Sequence, residues 1–332
     1  MSLPVGIDLG TTRCVVGVLE AGKAAALLLG REVYREVSAV GHEDAGVVVG
    51  ERARRLSLTR PRQMLLAPLR LLGRPFDELD LEAWRPQPLL RAADGELRVR
   101  LVPASGAGEG ELVAPPELLA PLLRQVRRTV EQQLGEPLHA AVVAVRGQLR
   151  DAQRRATIAA CRLGGVEVRR LVHATTAVAL AYHAGRAAVE DETIAVIDFG
   201  GGGFDVAIFE VGERSIEVLA QRGVEVGGED LDARVVEWLL AEFREQTGVD
   251  GAADPVVRAR MRDASEKARV VLSGQKEVVI HLPYLAADEA GPKHLQVKLT
   301  QARLEKLVAD LLDRCAATVQ RTLDESGRAA DS

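Results

Sequence analysis

The stretch Ile7-Asp8-Leu9-Gly10-Thr11-Thr12 recurs 190 positions later as Ile197-Asp198-Phe199-Gly200-Gly201-Gly202. Each copy consists of a short apolar strand, an aspartate, a glycine-containing turn and a second apolar strand. This internal repeat predicts two lobes of related design. At the same offset, the identity extends to Val16 and Val206, Glu20 and Glu210, and Gly22 and Gly212.

The two turns have the composition of phosphate-binding loops. Backbone N–H groups in a glycine-rich turn can point together at phosphate oxygens, and glycine permits their close approach. Thr11 and Thr12 add two hydroxyl donors, whereas Gly200 to Gly203 is a run of four glycines. We therefore predict a nucleotide between two loops that are unlike the G-x-x-x-x-G-K-[ST] loop. The alternative is an old gene duplication that keeps both turns for folding only.

An aspartate precedes each turn, and the pair predicts a metal site. Asp8 and Asp198 would face the phosphates from opposite sides. Two carboxylates would repel an anion directly, so a Mg²⁺ ion with its water shell is the natural mediator. We expect Asp8 and Asp198 to hold this ion through water and to be the catalytic pair.

Composition excludes several classes of protein. A chain of 332 residues forms more than one domain, and its net charge of −5 provides no basic surface for nucleic acid. No apolar run reaches membrane-spanning length, and Asp8 interrupts the first apolar stretch, so we expect neither a membrane partner nor a signal peptide. The chain has three cysteines, Cys14, Cys161 and Cys315. Because their number is odd and they lie far apart in sequence, we expect reduced thiols in a cytoplasmic protein.

Residue patterning predicts strands followed by helices, twice, which is typical of α/β lobes. We predict a first lobe over 1–188, with a large subdomain (1–37 and 113–188) and an inserted small subdomain (38–112). The second lobe is predicted over 189–332, with a large subdomain (189–226 and 300–332) and an inserted one (227–299). The stretch 105–110 is expected to be a flexible loop. We expect no substrate-binding domain within these residues.

Longer motifs make the chain similar to one family. Beyond the two loops, the segments 227–232 (Gly-Gly-Glu-Asp-Leu-Asp) and 265–273 (Ser-Glu-Lys-Ala-Arg-Val-Val-Leu-Ser) resemble the nucleotide-binding domain of DnaK-type heat-shock chaperones. These segments distinguish the DnaK-type domain from other members of the actin and hexokinase ATPase superfamily, such as sugar kinases. Further resemblance lies in 71–76, 151–157 and 300–312. The expected fold is the two-lobed, ribonuclease H-like fold of actin-like ATPases.

The resemblance implies a site for ATP or ADP with Mg²⁺. Thr11 and Thr12 would contact the β- and γ-phosphates, and Asp8 and Asp198 would order the attacking water. Without the resemblance, the charges of 265–273 would indicate only an ion-paired helix face. Implied partners are a J-domain protein, a nucleotide exchange factor and a client protein. The other implied contacts are Gly10, Arg13, Gly200, Gly201, Gly202, Gly203, Gly228 and Glu229, with Glu266, Arg269 and Ser273 at the adenosine.

Several departures from the family fall on its catalytic groups. Leu69 stands where the family has a lysine that positions water and γ-phosphate, and we expect the adjacent Arg70 to point elsewhere. His173 replaces a glutamate that couples Mg²⁺ to the protein, and is expected to be a partnered structural residue. Arg146 replaces the proline of an allosteric switch, Gly203 replaces a threonine of the second loop, and Val270 replaces a basic residue.

These departures predict ATP binding with slow or lost hydrolysis. Phosphoryl transfer depends on positioning and charge, and removal of one such group commonly costs about 10²- to 10³-fold in rate. The alternative is a non-catalytic scaffold that binds a partner, with nucleotide structural or absent. A sugar or acetate kinase needs an acceptor base between the lobes, for which the sequence offers no candidate.

The polar end of the sequence adds one expectation. The family continues after its last helix with a strand and a Gly-Gly-rich turn that grips the adenosine, whereas 324–332 contains no such turn. We therefore expect a sheet edge without its last strands in the second lobe, and weakened nucleotide affinity.

Overall fold

A computed structural model describes residues 4–29, 35–43, 46–81, 84, 86, 89–102, 110–184, 192–213 and 215–328. We call the described residues up to Ala184 the first lobe and those from Glu192 the second lobe. The predicted boundary at residue 188 and most of the predicted loop 105–110 lie outside the described residues. The subdomain boundaries stay predictions.

The first lobe alternates strands and helices in the predicted manner. Its helices are α1 (Gly50–Leu56), α2 (Pro115–Leu134), α3 (Asp151–Leu163) and α4 (Ala174–Ala184). Its strands are β1 (Val5–Leu9), β2 (Arg13–Glu20), β3 (Lys23–Ala26), β4 (Arg35–Val37), β5 (Ala39–Glu43), β6 (Gly46–Val49), β7 (Met64–Leu66), β8 (Leu89–Arg91), β9 (Leu97–Leu101), β10 (Glu111–Val113), β11 (Ala140–Val145) and β12 (Glu167–His173).

One mixed sheet organises this lobe. Its order is β12-β11-β1-β2-β3, with β4 also paired to β2. Strand β11 runs parallel to β1, and Asp8 pairs with Ala144 in that register. The helices α2 and α3 bury their apolar stripes against the sheet, in a core that includes Ile7, Leu122 and Val143. Because ligands of such sheets bind beyond the carboxyl ends of parallel strands, this register brings the end of β11 beside the first phosphate loop.

Two small sheets lie between β4 and α2. Their orders are β6-β5-β7 and β10-β9-β8. One apolar cluster joins Val40 and Leu65 of the first sheet to Leu97 and Val99 of the second, and a smaller cluster lies under α1. The short helix α1 packs on β5, from which it presents Arg54 toward the second lobe.

The second lobe repeats the antiparallel meander of the first, and in the described residues its sheet has three strands, without counterparts of β11 and β12. Its strands are β13 (Glu192–Phe199), β14 (Phe204–Val211), β15 (Ile216–Val224), β16 (Glu277–Asp288) and β17 (Gly291–Thr300). Its helices are α5 (Gly228–Thr247), α6 (Pro255–Leu272) and α7 (Gln301–Ser326). Strands β13, β14 and β15 form an antiparallel meander like that of β1 to β3. The hydroxyl of Thr300 caps the last helix by accepting a bond from the Arg303 N–H.

The hairpin of β16 and β17 is longer than expected. The sequence predicts a strand only over 278–282, whereas the structure shows two long paired strands. In β17 the buried residues Leu295, Val297 and Leu299 alternate with exposed polar ones, the period of a strand with one face on a core. This face packs against α5 and α6. No helix in the described residues is long and apolar enough to cross a membrane.

Candidate nucleotide site between the lobes

The first phosphate loop connects β1 to β2 and is tightly folded. A Cβ atom on Gly10 would lie 2.4 Å from the carbonyl oxygen of Arg13, so this turn admits only glycine. Ser38 holds the loop at both ends, because its hydroxyl donates to the Gly10 carbonyl at 2.9 Å and its N–H donates to the Thr12 carbonyl at 2.9 Å.

The second phosphate loop connects β13 to β14 and is anchored by α5. The carbonyls of Gly200 and Gly201 accept bonds from the N–H groups of Gly228 (3.0 Å) and Glu229 (2.9 Å). The loop is closed on itself by the Gly200 N–H, which donates to the Gly203 carbonyl at 2.9 Å. The first amides of α5 therefore hold the loop itself.

The two loops face each other and touch. A Cβ atom on Gly201 would lie 2.3 Å from the Thr12 Cγ2 atom, and one on Gly202 would lie 2.5 Å from the Thr11 Cγ2 atom. Glycines of one lobe thus pack on threonines of the other. The repeat predicted this meeting of the loops, and the residues have the donors that a phosphate needs. As they stand, the loops leave no gap between these residues.

The two aspartates of the repeat lie close enough to affect each other. Burial, followed by repulsion from Asp198, raises the pKa of Asp8 to about 6. Burial also raises the pKa of Asp198, against the opposing charge of Arg146. Two carboxylates in such an environment are suitable donors for a hydrated Mg²⁺ ion, whose charge would relieve their repulsion.

Of the adenosine residues implied by the resemblance, Glu266 and Arg269 lie on α6 and Ser273 directly follows it, and all three are engaged elsewhere. Glu266 Oε2 lies 2.6 Å from Arg54 Nη2 of the first lobe, and Glu266 Oε1 lies 3.6 Å from Arg13 Nη2. Arg269 makes two bonds to the buried Asp232, of 2.7 and 3.0 Å. The Ser273 hydroxyl donates to the Arg269 carbonyl at 3.4 Å. Both charged residues therefore pair outside their own helix.

Comparison with known families agrees with this geometry. A family model described as Hsp70 protein matches residues 4–332, nearly the whole chain. The chain belongs to the Hsp70 family. It is an Hsp70-type nucleotide-binding domain with the two-lobed actin-like ATPase fold, as the sequence predicted. The family binds ATP or ADP with Mg²⁺, and this membership supports a chaperone ATPase domain.

Within this Hsp70 fold, arginines of the first lobe pair with carboxylates of the second. The set was missed from the sequence because its members are far apart along the chain. In each of the pairs below, the arginine lies in the first lobe and the carboxylate in the second, which gives the two faces complementary charge. The pairs are Arg13 with Glu266, Arg54 with Asp263 and Glu266, Arg70 with Glu229 and Asp230, Arg74 with Glu225, and Arg146 with Asp205.

The expectation that Arg70 points away from the cleft is wrong. Its Nη2 atom lies 2.7 Å from the Asp230 carboxylate and 3.5 Å from the Gly202 carbonyl. Arg70 lies in a 3₁₀ helix (Pro68–Leu71), where consecutive side chains diverge by about 120°. Because Leu69 packs against the first-lobe core, Arg70 is directed to the other lobe.

Two departures from the Hsp70 pattern, Arg146 and Gly203, meet at the second loop. A Cβ atom on Gly203 would lie 2.5 Å from the guanidinium carbon of Arg146. The guanidinium donates to the carbonyls of Gly202 (3.3 Å) and Val224 (3.4 Å). A threonine at 203, as in the family pattern, would therefore displace this arginine.

His173, at the family's glutamate position, has polar partners. Its Nδ1 atom lies 2.7 Å from Gln221 Oε1, and its Nε2 atom lies 3.5 Å from Arg154 Nη1. Gln221 also donates to the hydroxyl of Thr175 at 3.2 Å. His173 is thus a partnered residue that links β12 to β15 of the second lobe.

Proposed function

We propose that this Hsp70-family chain binds Mg²⁺–ATP between its lobes as the nucleotide-gated module of a chaperone system, with hydrolysis slow or lost. The observation that carries the proposal is the pair of phosphate loops that face each other, each preceded by an aspartate whose pKa is raised. Both loops are preorganised, the first by Ser38 and the second by the amides of α5.

Each part of the nucleotide has residues that suit it. Backbone amides of Gly10 to Thr12 and Gly200 to Gly203, with the two threonine hydroxyls, would hold the phosphates. Asp8 and Asp198 would hold Mg²⁺ through water, and the ion would neutralise phosphate charge. Glu266 and Ser273 would contact the adenosine, and Arg269 would lie against the purine face.

Slow hydrolysis is supported by the positions of the substituted groups. Leu69 packs on the apolar core and brings no charge, and His173 is bonded to Gln221. Gly203 has no hydroxyl. Each lost group is of a kind that costs about 10²- to 10³-fold in rate. Arg70 and Arg146 bring positive charge to the same loop, but both donate to backbone carbonyls or carboxylates.

Titration calorimetry with ATP and ADP, with and without Mg²⁺, tests binding. We expect Mg²⁺-dependent binding that Asp8→Asn and Asp198→Asn weaken. Single-turnover measurement of γ-phosphate release tests chemistry, and release as fast as that of an ordinary DnaK-type ATPase would contradict slow hydrolysis. Leu19→Ala, an exposed change on β2 away from the loops, is a matched control.

A second candidate function is a non-catalytic scaffold. It is favoured by the closed cleft, in which Thr11 and Thr12 touch the glycine run while Glu266 and Arg269 have ionic partners. A scaffold would show no heat with either nucleotide and the same thermal midpoint with and without Mg²⁺–ATP.

We also propose partners and a cellular location for the protein. A J-domain protein, a nucleotide exchange factor and a client protein are the partners that family membership makes reasonable. The buried free thiols Cys14, Cys161 and Cys315 suit a reducing compartment, and we place the protein in the cytoplasm.

A further inference from the structure

We infer that Arg146 binds the terminal phosphate of ATP once the lobes separate, as a binding group and not as a replacement for the water-positioning lysine that the family has at the position of Leu69. The inference rests on the proposed function. The parallel register pairs Asp8 with Ala144, and two residues later the chain reaches Gly10 on one strand and Arg146 on the other. Arg146 therefore stands beside the first loop while its guanidinium reaches the second.

The order of contacts between the two loops sets the direction of a bound nucleotide. Arg13 lies 3.6 Å from Glu266, at the adenosine end of the site. From there the contacts follow in order, with Thr12 at Gly201, Thr11 at Gly202 and Arg146 at Gly203. A nucleotide laid along these contacts from its adenosine brings its last phosphate to Arg146.

Two cleft arginines, Arg74 and Arg146, have a buried Nε atom without a hydrogen-bond partner among the described residues, and of these Arg146 lies against the glycine run. The two carbonyl bonds of Arg146 are long, and Asp205 Oδ2 lies 3.7 Å away. Arg70 and Arg269, by contrast, hold carboxylates at 2.7 Å. A planar guanidinium with weak partners gains most from a phosphate, which accepts bidentate bonds at shorter distance.

Gly203 provides the room for this arrangement. Because a Cβ atom there would occupy the place of the guanidinium, Arg146 and Gly203 act as a matched pair. Arg146 also lies among carboxylates, since its charge opposes the raised pKa of both Asp198 and Asp205. A cation is needed at this point for a polyanion to enter between acidic side chains.

A double-mutant cycle with ATP and ADP tests the assignment. We expect Arg146→Ala to weaken ATP binding by about tenfold or more, the effect of one lost charged hydrogen bond, and ADP binding by less than about threefold. Gly203→Ala should weaken ATP binding in the wild-type background and have little further effect with Arg146→Ala. Arg150→Ala removes a neighbouring exposed arginine, paired with Glu78, and serves as the charge control.

The possible outcomes separate the role of Arg146 from the proposed function. Wild-type protein that binds ATP, with equal ATP and ADP losses or none in Arg146→Ala, overturns the assignment and leaves the proposed function intact. Wild-type protein that binds neither nucleotide overturns the proposed function and this inference with it. If Arg146→Ala fails to fold by circular dichroism, Arg146→Gln keeps the side-chain length without the charge and must show the same selective loss of ATP binding.

Discussion

Arg54 Nη2 of the first lobe lies 2.6 Å from Glu266 Oε2 of the second. The contact joins α1 to the helix that would carry the adenosine. Both side chains are about one-third exposed or less, and the same guanidinium also lies 3.6 Å from Asp263. This ion pair engages a residue that the bound nucleotide would use.

Removal of Arg54 should therefore tighten nucleotide binding. We expect Arg54→Ala to raise ATP affinity by up to about fivefold, because a partly exposed ion pair is worth at most about 1 kcal/mol. Titration calorimetry measures the effect. Arg52→Ala, on the same helix but paired with Glu43 of its own lobe, is the control and should change nothing. Weaker ATP binding in Arg54→Ala would show that Arg54 supports the site instead of competing for it.

The arginine pairs across the cleft should make lobe closure sensitive to salt. Raising ionic strength from about 0.1 M to about 1 M shortens the Debye length from about 10 Å to about 3 Å and weakens exposed pairs. We expect a larger radius of gyration in small-angle X-ray scattering at high salt. The double variant Arg54→Gln, Arg70→Gln should already be expanded at low salt and respond less. Identical radii for both proteins at both salt concentrations would contradict closure by these pairs.

Mg²⁺-dependent ATP binding should weaken in acid. Because the pKa of Asp8 is raised to about 6, this carboxylate gains its proton as the pH falls through that value. At about pH 5 roughly one-tenth of Asp8 remains ionised, so we expect about tenfold weaker Mg²⁺-dependent binding than at neutral pH. Calorimetry at both pH values measures it. Asp8→Asn should remove this pH dependence, and an unchanged wild-type affinity at the two pH values would refute it.

The same carboxyl has the opposite effect on stability. A carboxyl group whose pKa is raised from 3.8 to about 6 destabilises the folded protein above the folded value, and this cost disappears as the pH falls below 3.8. Asp8→Asn should therefore raise the thermal midpoint of nucleotide-free protein at neutral pH, and the gain should shrink toward pH 4. A gain that grows in acid would contradict the assigned direction.

Hydrolysis should be recoverable by restoring the family's residues. The double variant Leu69→Lys, His173→Glu returns a charge to each substituted position, and we expect at least tenfold faster single-turnover release, a conservative share of what such groups contribute. Because Leu69 packs on the core, the lysine should cost about 1 kcal/mol of stability. A double variant that binds ATP yet gains no rate would show that these positions do not limit the chemistry.

The sequence predicted correctly the features that depend only on neighbouring residues. The turns after Leu9 and Phe199, each between two strands, depend on residues adjacent in sequence, and the structure has them where the sequence placed them. The internal repeat also predicted that the two loops face each other. The contact of Arg54 with Glu266 spans 212 positions and has no local signal. Likewise, the direction of Arg70 depends on a single 3₁₀ turn that no periodicity indicates.

The hydrogen bonds from the Gly228 and Glu229 N–H groups to the glycine run couple any tilt of α5 to the second phosphate loop. The helix has 20 residues and is therefore about 30 Å long, with one end fixed to the phosphate loop. A tilt of about 5° at Gly228 would carry Thr247 about 2.6 Å, together with the strands and the helix that pack on α5. A small displacement of two carbonyl groups would thus reach the far surface of the second lobe as a motion large enough for another protein to sense.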